Sequence, residues 1–369
     1  METRYVPYRA KRVLNVHKHV DGGWFWNRYS AHPYVGCQHG CEYCYWRDER
    51  YNLLAREEAA QDLADPFSQY IKVKVNAPEL LRKELSRVPR DIIVTGDYQP
   101  AEAEFRLSRG MLEIILELGF PVLINEKSPL VLRDLDLIRE INERSWACVL
   151  WSIAKAGSEG YLEVFEPHAP PIEGRFKAMK RVSEAGVLTG TAFMPILPLI
   201  CDDDENLEAV VRKTSENGGS FVLAGSLTMS GAQAPRCMSV IARHHPRLVA
   251  EYERLYRGGY SPDRGYTGTI GKKVKALCER YGIADRMPRY IQPGGHARNK
   301  EIAEKLFNEA YYMELDRESP YRIRAYRRAA WTIDELDESV ETIYRGSGLG
   351  VWKPSRALEK PFPRGLRGS

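Results

Sequence analysis

The sequence predicts an α/β protein, an open and partial (β/α)6 barrel followed by a mainly helical C-terminal extension. Two observations carry that prediction. Short apolar runs alternate with helically spaced apolar residues from about residue 31 to 230, the pattern of βαβ units on a parallel sheet. Beyond Gly231 the strand-like runs stop and helical patterning takes over. With one strand counted just before Cys37, the alternation amounts to about six repeats, too few for a closed eight-fold barrel.

In chain order, residues 1–30 read as an irregular lead-in, and a loop bearing Cys37, Cys41 and Cys44 follows. Asp91–Thr95 is a short apolar run and predicts a strand, followed by a helix over Ser108–Leu118. Pro121–Ile124 and Ala147–Ser152 predict the next strands, with helical spacing over Leu130–Arg144 between them. Ile172–Ala185 is an amphipathic helix stopped by Gly186, a favoured residue past a helix end because it tolerates positive φ. Val187–Met194 and Phe221–Ala224 predict two further strands around a helix near Asp204–Glu216. Helices follow over His244–Arg257, Gly271–Tyr281, Asn299–Glu309 and Pro320–Tyr344. The chain thus divides into a basic and aromatic segment (1–30), the barrel (31–230), a helical extension (231–315), a basic helical segment (316–350) and a Pro-, Arg- and Gly-rich tail (351–369).

Composition is that of a soluble globular chain, 43% hydrophobic and 28% charged. No apolar stretch reaches the roughly 18 residues that a membrane-spanning helix needs, and no secretory signal opens the sequence, so a cytoplasmic protein without a membrane partner is expected. The net charge of +4 is too small to demand a polyanion, but its placement is uneven. Arg4, Arg9, Lys11, Arg12, Lys18 and Arg28 face only Glu2 and Asp21 in the first 30 residues, and Tyr321–Arg328 holds four arginines in eight residues. Both stretches carry aromatics, among them Trp24, Phe25, Trp26, Tyr321 and Tyr326, which fits either nucleic-acid contact or solvated surface over ordinary core aromatics.

Seven cysteines form an odd set that argues against a disulfide framework. Cys148, Cys201, Cys237 and Cys278 are scattered, whereas Gly36-Cys37-Gln-His-Gly-Cys41-Glu-Tyr43-Cys44-Tyr45 packs three into one loop with Cys-x3-Cys-x2-Cys spacing. Thiolates are soft anionic ligands, and three on one short loop can hold three irons of a [4Fe–4S] cubane while leaving the fourth open to another ligand. The alternative is zinc, with His39 or His32 as fourth ligand, although zinc loops usually pair one C-x2-C with a second and none is present.

This spacing, with an aromatic before the last cysteine and a strand ahead of the loop, resembles that of the radical S-adenosylmethionine superfamily. The resemblance implies a partial (β/α)6 barrel and a cluster whose open iron chelates S-adenosylmethionine. One-electron reduction then cleaves the cofactor to a 5′-deoxyadenosyl radical. Further segments resemble the spore photoproduct lyase branch: Lys72-Val-Lys74-Val-Asn76-Ala-Pro-Glu79, Tyr98-Gln-Pro-Ala-Glu102, Lys127-Ser128 before Arg133-Asp134, Ser152-Ile153, Phe165-Glu166-Pro167 with Arg175, and Ala185-Gly186 leading to Met194-Pro195. Together they span about residues 30–260.

That resemblance assigns Cys37, Cys41 and Cys44 to the cluster and places Tyr43, Asp97, Lys127 and Ser152 around the cofactor. Asp97 would take the amino group, Lys127 the methionine carboxylate, and Ser152 the ribose or carboxylate; each is also a strand-end polar residue able to satisfy backbone groups. Glu166 and Arg175 read as a structural pair. The sequence departs from the lyase at Val94, near the place of its hydrogen-donating cysteine, which puts that lyase reaction in doubt. Cys148, on the same strand face as Leu150 and Ser152, either reaches the barrel lumen or packs. Tyr43 and Tyr45 stand beside the cluster as radical relays or core aromatics.

Ser319–Ala330 with Thr332–Leu336, continued by Gly346-Ser-Gly-Leu-Gly350, resembles the first helices of the helix-hairpin-helix region of family X DNA polymerases. The resemblance covers about 30 residues and fits either phosphate contact or a helix docked on the barrel. The expected function is a radical enzyme acting on nucleic acid, DNA ahead of RNA, in repair or modification, with a one-electron donor such as flavodoxin or ferredoxin. The alternatives are the same chemistry on a peptide or small molecule, and a non-catalytic iron–sulfur protein that binds nucleic acid.

Overall fold

The computed structural model describes residues 3–51, 54, 57–257, 259–294 and 297–347. Ten strands are described: β1 (Arg4–Tyr8), β2 (Leu14–Val16), β3 (Tyr29–Ala31), β4 (Tyr34–Val35), β5 (Tyr70–Lys74), β6 (Ile93–Gly96), β7 (Val122–Glu126), β8 (Ala147–Ser152), β9 (Leu188–Ile196) and β10 (Val222–Ser226). The larger sheet runs β10-β9-β8-β7-β6-β3-β2. Its strands from β3 to β10 are parallel, and β2 is added antiparallel at the edge. A small sheet, β1-β5-β4, stands apart from it. No described helix is long and apolar enough to cross a membrane.

Period-two alternation sorts the strand residues onto two faces, and β8 shows it cleanly. Ala147, Val149 and Trp151 join the core beneath the helices Leu107–Leu118, Leu135–Arg144, Ile172–Glu184 and Asp204–Glu216, each of which turns its apolar stripe to the sheet. Cys148 and Leu150 join a second core on the opposite face, with Leu123, Ala192 and Leu223. Chain ends fill that second core: Val20 and Trp26 from the lead-in, Met287 from a loop, and Ala303, Phe307 and Ala330 from the helices Ala297–Leu315 and Pro320–Asp334. Each such side chain taken from water contributes roughly 1.5–3 kcal/mol.

Residues 1–30 are therefore not the irregular lead-in expected. They supply β1 and β2, whose short, half-polar spans carry no apolar alternation to read. Trp26 is fully buried, its indole N–H donates to the Met287 carbonyl at 2.9 Å, and its ring meets Phe307 edge to face. The Asp21 carboxylate gathers the backbone N–H groups of residues 23 to 26 at 2.5–3.2 Å, which shapes the turn. Trp331 donates to the Val20 carbonyl at 2.9 Å, while His19 and Arg28 both reach Glu335, at 2.8 and 3.2 Å. The N-terminal segment is thus fastened to both helices, Ala297–Leu315 through Trp24 and Trp26 and Pro320–Asp334 through His19 and Val20.

Three predicted helices are divided. Pro246 cannot continue a helix from His245, so the predicted His244–Arg257 is cut to Val249–Tyr256, and His244 instead ends a separate, unpredicted helix, Gln233–His244. Leu130–Arg144 begins as a 3-10 turn at Pro129–Asp134. Pro320–Tyr344 breaks after Asp334, whose carboxylate is buried by Arg289 at 2.6 Å and Lys300 at 2.9 Å. The Gly346–Gly350 run lies mostly outside the described residues, and the helix before it has a packing role, with Ile323, Ala330 and Ile333 turned inward.

Candidate functional site

The cysteine loop leaves β4 through Gly36, at φ +89°, where a Cβ would stand 2.9 Å from the carbonyl oxygens of Phe67 and Tyr70; only glycine fits there. Cys37 N–H donates to the Phe67 carbonyl at 2.9 Å, and turns close from Gly40 to Cys37 and from Cys44 to Cys41. The buried Arg47 guanidinium holds the loop from beneath. It donates to the carbonyls of Cys41 and Gly40 at 2.8 and 2.9 Å, pairs with Asp65 at 2.7 Å, and lies over the Phe67 ring. Gln99 accepts from Gln38 N–H at 2.8 Å and donates to the Gly36 carbonyl at 3.2 Å. On the other side Glu42 N–H donates to Phe165 and His168 N–H to His39. Two of the lyase-like segments, Tyr98–Glu102 and Phe165–Pro167, therefore clamp the loop.

All seven cysteines are free; Cys37 and Cys44 are partly exposed and Cys41 is buried. Burial pushes the Cys41 thiol up to about 12 against the opposing pull of Lys127, and burial also raises Cys37 and Cys44. Thiols in such a place ionise only against a strong positive charge, which a metal cluster provides. Each thiol of a cubane site takes its own iron, so three sulfurs on one loop suit a cluster without converging on a point. Among the described residues no three His, Cys, Asp or Glu side chains form a group that converges on a single metal ion. Burial, then Lys127 and Arg175, hold the His39 imidazole down at about 3.

Behind the loop lies a charged network at the C-terminal ends of β7 and β8. The Lys127 ammonium donates to Ser152 Oγ at 2.6 Å, to Tyr43 Oη at 3.1 Å and to Glu166 Oε1 at 3.1 Å. Glu166 also accepts from Tyr43, from Arg175 and, at 3.4 Å, from Tyr161. Burial would raise the Glu166 carboxyl, but Lys127 and Arg175 outweigh it and hold it at about 2. Tyr43, Lys127 and Ser152 are thus brought together. Glu166 and Arg175 do pair, as expected, yet Glu166 is also the anion around which the other three are arranged. All three ammonium donors of Lys127 are engaged, so a ligand carboxylate reaches it by displacing one acceptor.

Asp97 stands separately, past the end of β6, and its carboxylate meets His32 Nδ1 at 3.0 Å. Its φ of +68° is in the left-handed region that aspartate tolerates better than most side chains. The geometry is fixed by Glu126, which sequence reasoning missed. One of its oxygens accepts from Tyr98 N–H at 2.8 Å; the other accepts from Lys127 and Ser128 N–H at 3.0 and 3.2 Å. The carboxylate sits against Gly96, where a Cβ would stand 2.9 Å from its Oε1. One buried acid thus ties the turn bearing Asp97 to the turn bearing Lys127, and burial, with Asp97 adding to it, raises its carboxyl to about 7. The signal was available in principle: a glutamate ends the apolar run of β7.

Val94, Leu123 and Cys148 lie in one cross-strand row. Cys148 shares a sheet face with Val94, but it is fully buried among Leu123, Leu150 and Ala192, which settles it as a packing residue.

No protein-family model matches the chain. An uncharacterized protein of Mycobacterium tuberculosis is 29% identical over 263 residues, 70% of this chain and 75% of that protein. An uncharacterized protein of Methanocaldococcus jannaschii is 29% identical over 201 residues, 53% and 69% of the two chains. Another, of Acidianus two-tailed virus, is 27% identical over 233 residues, 61% and 74%. Among solved structures, a mutant of spore photoproduct lyase shares the fold with a TM-score of 0.56 at 16% identity, over 77% of this chain and 82% of that one. A second mutant, with bound AdoMet and dinucleoside spore photoproduct, gives 0.54 at 17% identity over the same shares.

Proposed function

We propose that the chain is a radical S-adenosylmethionine enzyme built on a partial (β/α)6 barrel, with Cys37, Cys41 and Cys44 holding a [4Fe–4S] cluster. The observation that carries this reading is the clamped loop of three free cysteines at the C-terminal ends of parallel strands, on a fold shared with a lyase that binds AdoMet. When bound, the cluster and S-adenosylmethionine supply reductive C–S cleavage to a 5′-deoxyadenosyl radical. In this reading the Asp97 carboxylate receives the cofactor's ammonium, and Ser152, freed from Lys127, leaves that lysine able to pair with the methionine carboxylate. Tyr43 fixes the distance between the loop and Lys127. The buried Glu166 carboxylate, itself paired with Arg175, orients the Lys127 ammonium.

We infer nucleic acid as the substrate, for repair or modification, because the neighbouring structure of this fold holds a dinucleoside. The chain termini add little to the inference, since Trp26 is buried in the core while Tyr321 is left exposed. Val94 counts against the lyase's own reaction. A one-electron donor such as flavodoxin or ferredoxin is required. Anaerobic reconstitution, iron counting and assay of 5′-deoxyadenosine test the chemistry: Cys37→Ala, Cys41→Ala and Cys44→Ala lose cluster and cleavage together. A reconstituted wild type that binds iron but cleaves nothing would refute it and favour the non-catalytic alternative. Hydrogen transfer to 5′-deoxyadenosine from a peptide instead would redirect the substrate.

A further inference from the structure

The segment just past the cysteine loop carries aromatic side chains that the proposed chemistry does not use. Tyr45 and Tyr51 are 54% and 56% exposed, and their rings meet edge to face at 5.6 Å. Trp46 lies 6.1 Å from Tyr45 and 4.5 Å from His32, the residue bonded to Asp97. The Arg50 guanidinium covers Tyr51 at 5.6 Å. Single exposed aromatics are ordinary, but a connected row running from the site's carboxylate to the surface is not.

The row is also held rigidly. Arg47 anchors its first turn to the cysteine loop, and the buried Asp48 carboxylate accepts from Arg50 N–H at 2.9 Å, from the Arg50 guanidinium at 2.7 Å and from Ser230 Oγ at 2.8 Å.

We propose that Tyr45, Trp46 and Tyr51 form a shelf on which the bases of single-stranded or locally unpaired nucleic acid stack, leading one base toward Asp97; this rests on the nucleic-acid reading above. Every base offers a π face, so such a shelf binds strands without reading their order, and Arg50 supplies the complementary charge for phosphate. A regular duplex has its bases stacked already and offers no free faces within it.

Fluorescence anisotropy on the reconstituted full chain tests the shelf with a labelled oligothymidylate, a duplex of equal length and an abasic strand. Tyr51→Ala should weaken oligothymidylate binding roughly 5- to 150-fold, while Tyr51→Phe stays near wild type. Neither variant should alter binding of the abasic strand or the iron content. Equal affinity of wild type and Tyr51→Ala for oligothymidylate, an equal loss in Tyr51→Phe, or the same loss on the abasic strand would overturn the shelf. Absence of wild-type binding to every nucleic acid would instead remove the substrate reading on which it rests.

Discussion

Replacing Glu166 by glutamine keeps its shape and removes one charge, which makes it the sharpest probe of the buried network. Glu166 and Arg175 are fully buried and Lys127 is 13% exposed, so neither cation can turn to solvent for a new partner. The carboxyl lies at about 2 against an ordinary 4.5, and that difference corresponds to about 3 kcal/mol of folding stability. Stripping one member from a buried pair leaves uncompensated charge and costs about 3–5 kcal/mol, so Glu166→Gln should lose that much at neutral pH. Because the folded carboxyl is depressed, the wild-type advantage is complete above about 4.5 and fades as pH falls toward 2. Urea unfolding of wild type and variant across that range measures both effects. A loss below about 1 kcal/mol, or a difference that does not change with pH, would refute the network's electrostatic account.

Glu126 behaves in the opposite sense. Its folded carboxyl is raised from 4.5 to about 7, so the wild type should lose stability relative to Glu126→Gln as pH rises through that interval; parallel stability curves would be inconsistent with a buried acid there. Asp97→Asn should weaken S-adenosylmethionine binding about 10- to 150-fold, the worth of a charge-assisted hydrogen bond, while leaving iron content unchanged. Equilibrium dialysis reads this, and unchanged affinity would move the ammonium site elsewhere.

Much of the architecture was legible because its signals are local. Ala147–Ser152 and Asp204–Glu216 form the elements predicted, residue for residue, the first as an unbroken apolar run and the second behind the Asp203 cap. The three cysteines stood out by their spacing; Tyr43, Lys127 and Ser152 came through the family resemblance, and the structure brings these three within one hydrogen-bonded group. Glu126 escaped because an acid at a strand end reads as the start of a solvated loop; the Tyr98 N–H reaches it only once β6 and β7 are side by side. The helix Gln233–His244 escaped because Pro235, harmless in a first turn, looks like a breaker. Trp24, Phe25 and Trp26 could not be sorted between binding and packing, since Trp26 bonds to Met287, 261 residues away.

The bond from Trp331 to Val20 spans 311 residues, and it sets an order of events during synthesis. The sheet face bearing Leu123, Leu150 and Leu223 is covered in stages, by Met287, then Ala303 and Phe307, and last by Ala330 of the helix Pro320–Asp334. A stop before that helix removes Ala330 from this core and the Trp331 bond to Val20, even though every residue of the cysteine loop and its charged network has already been made.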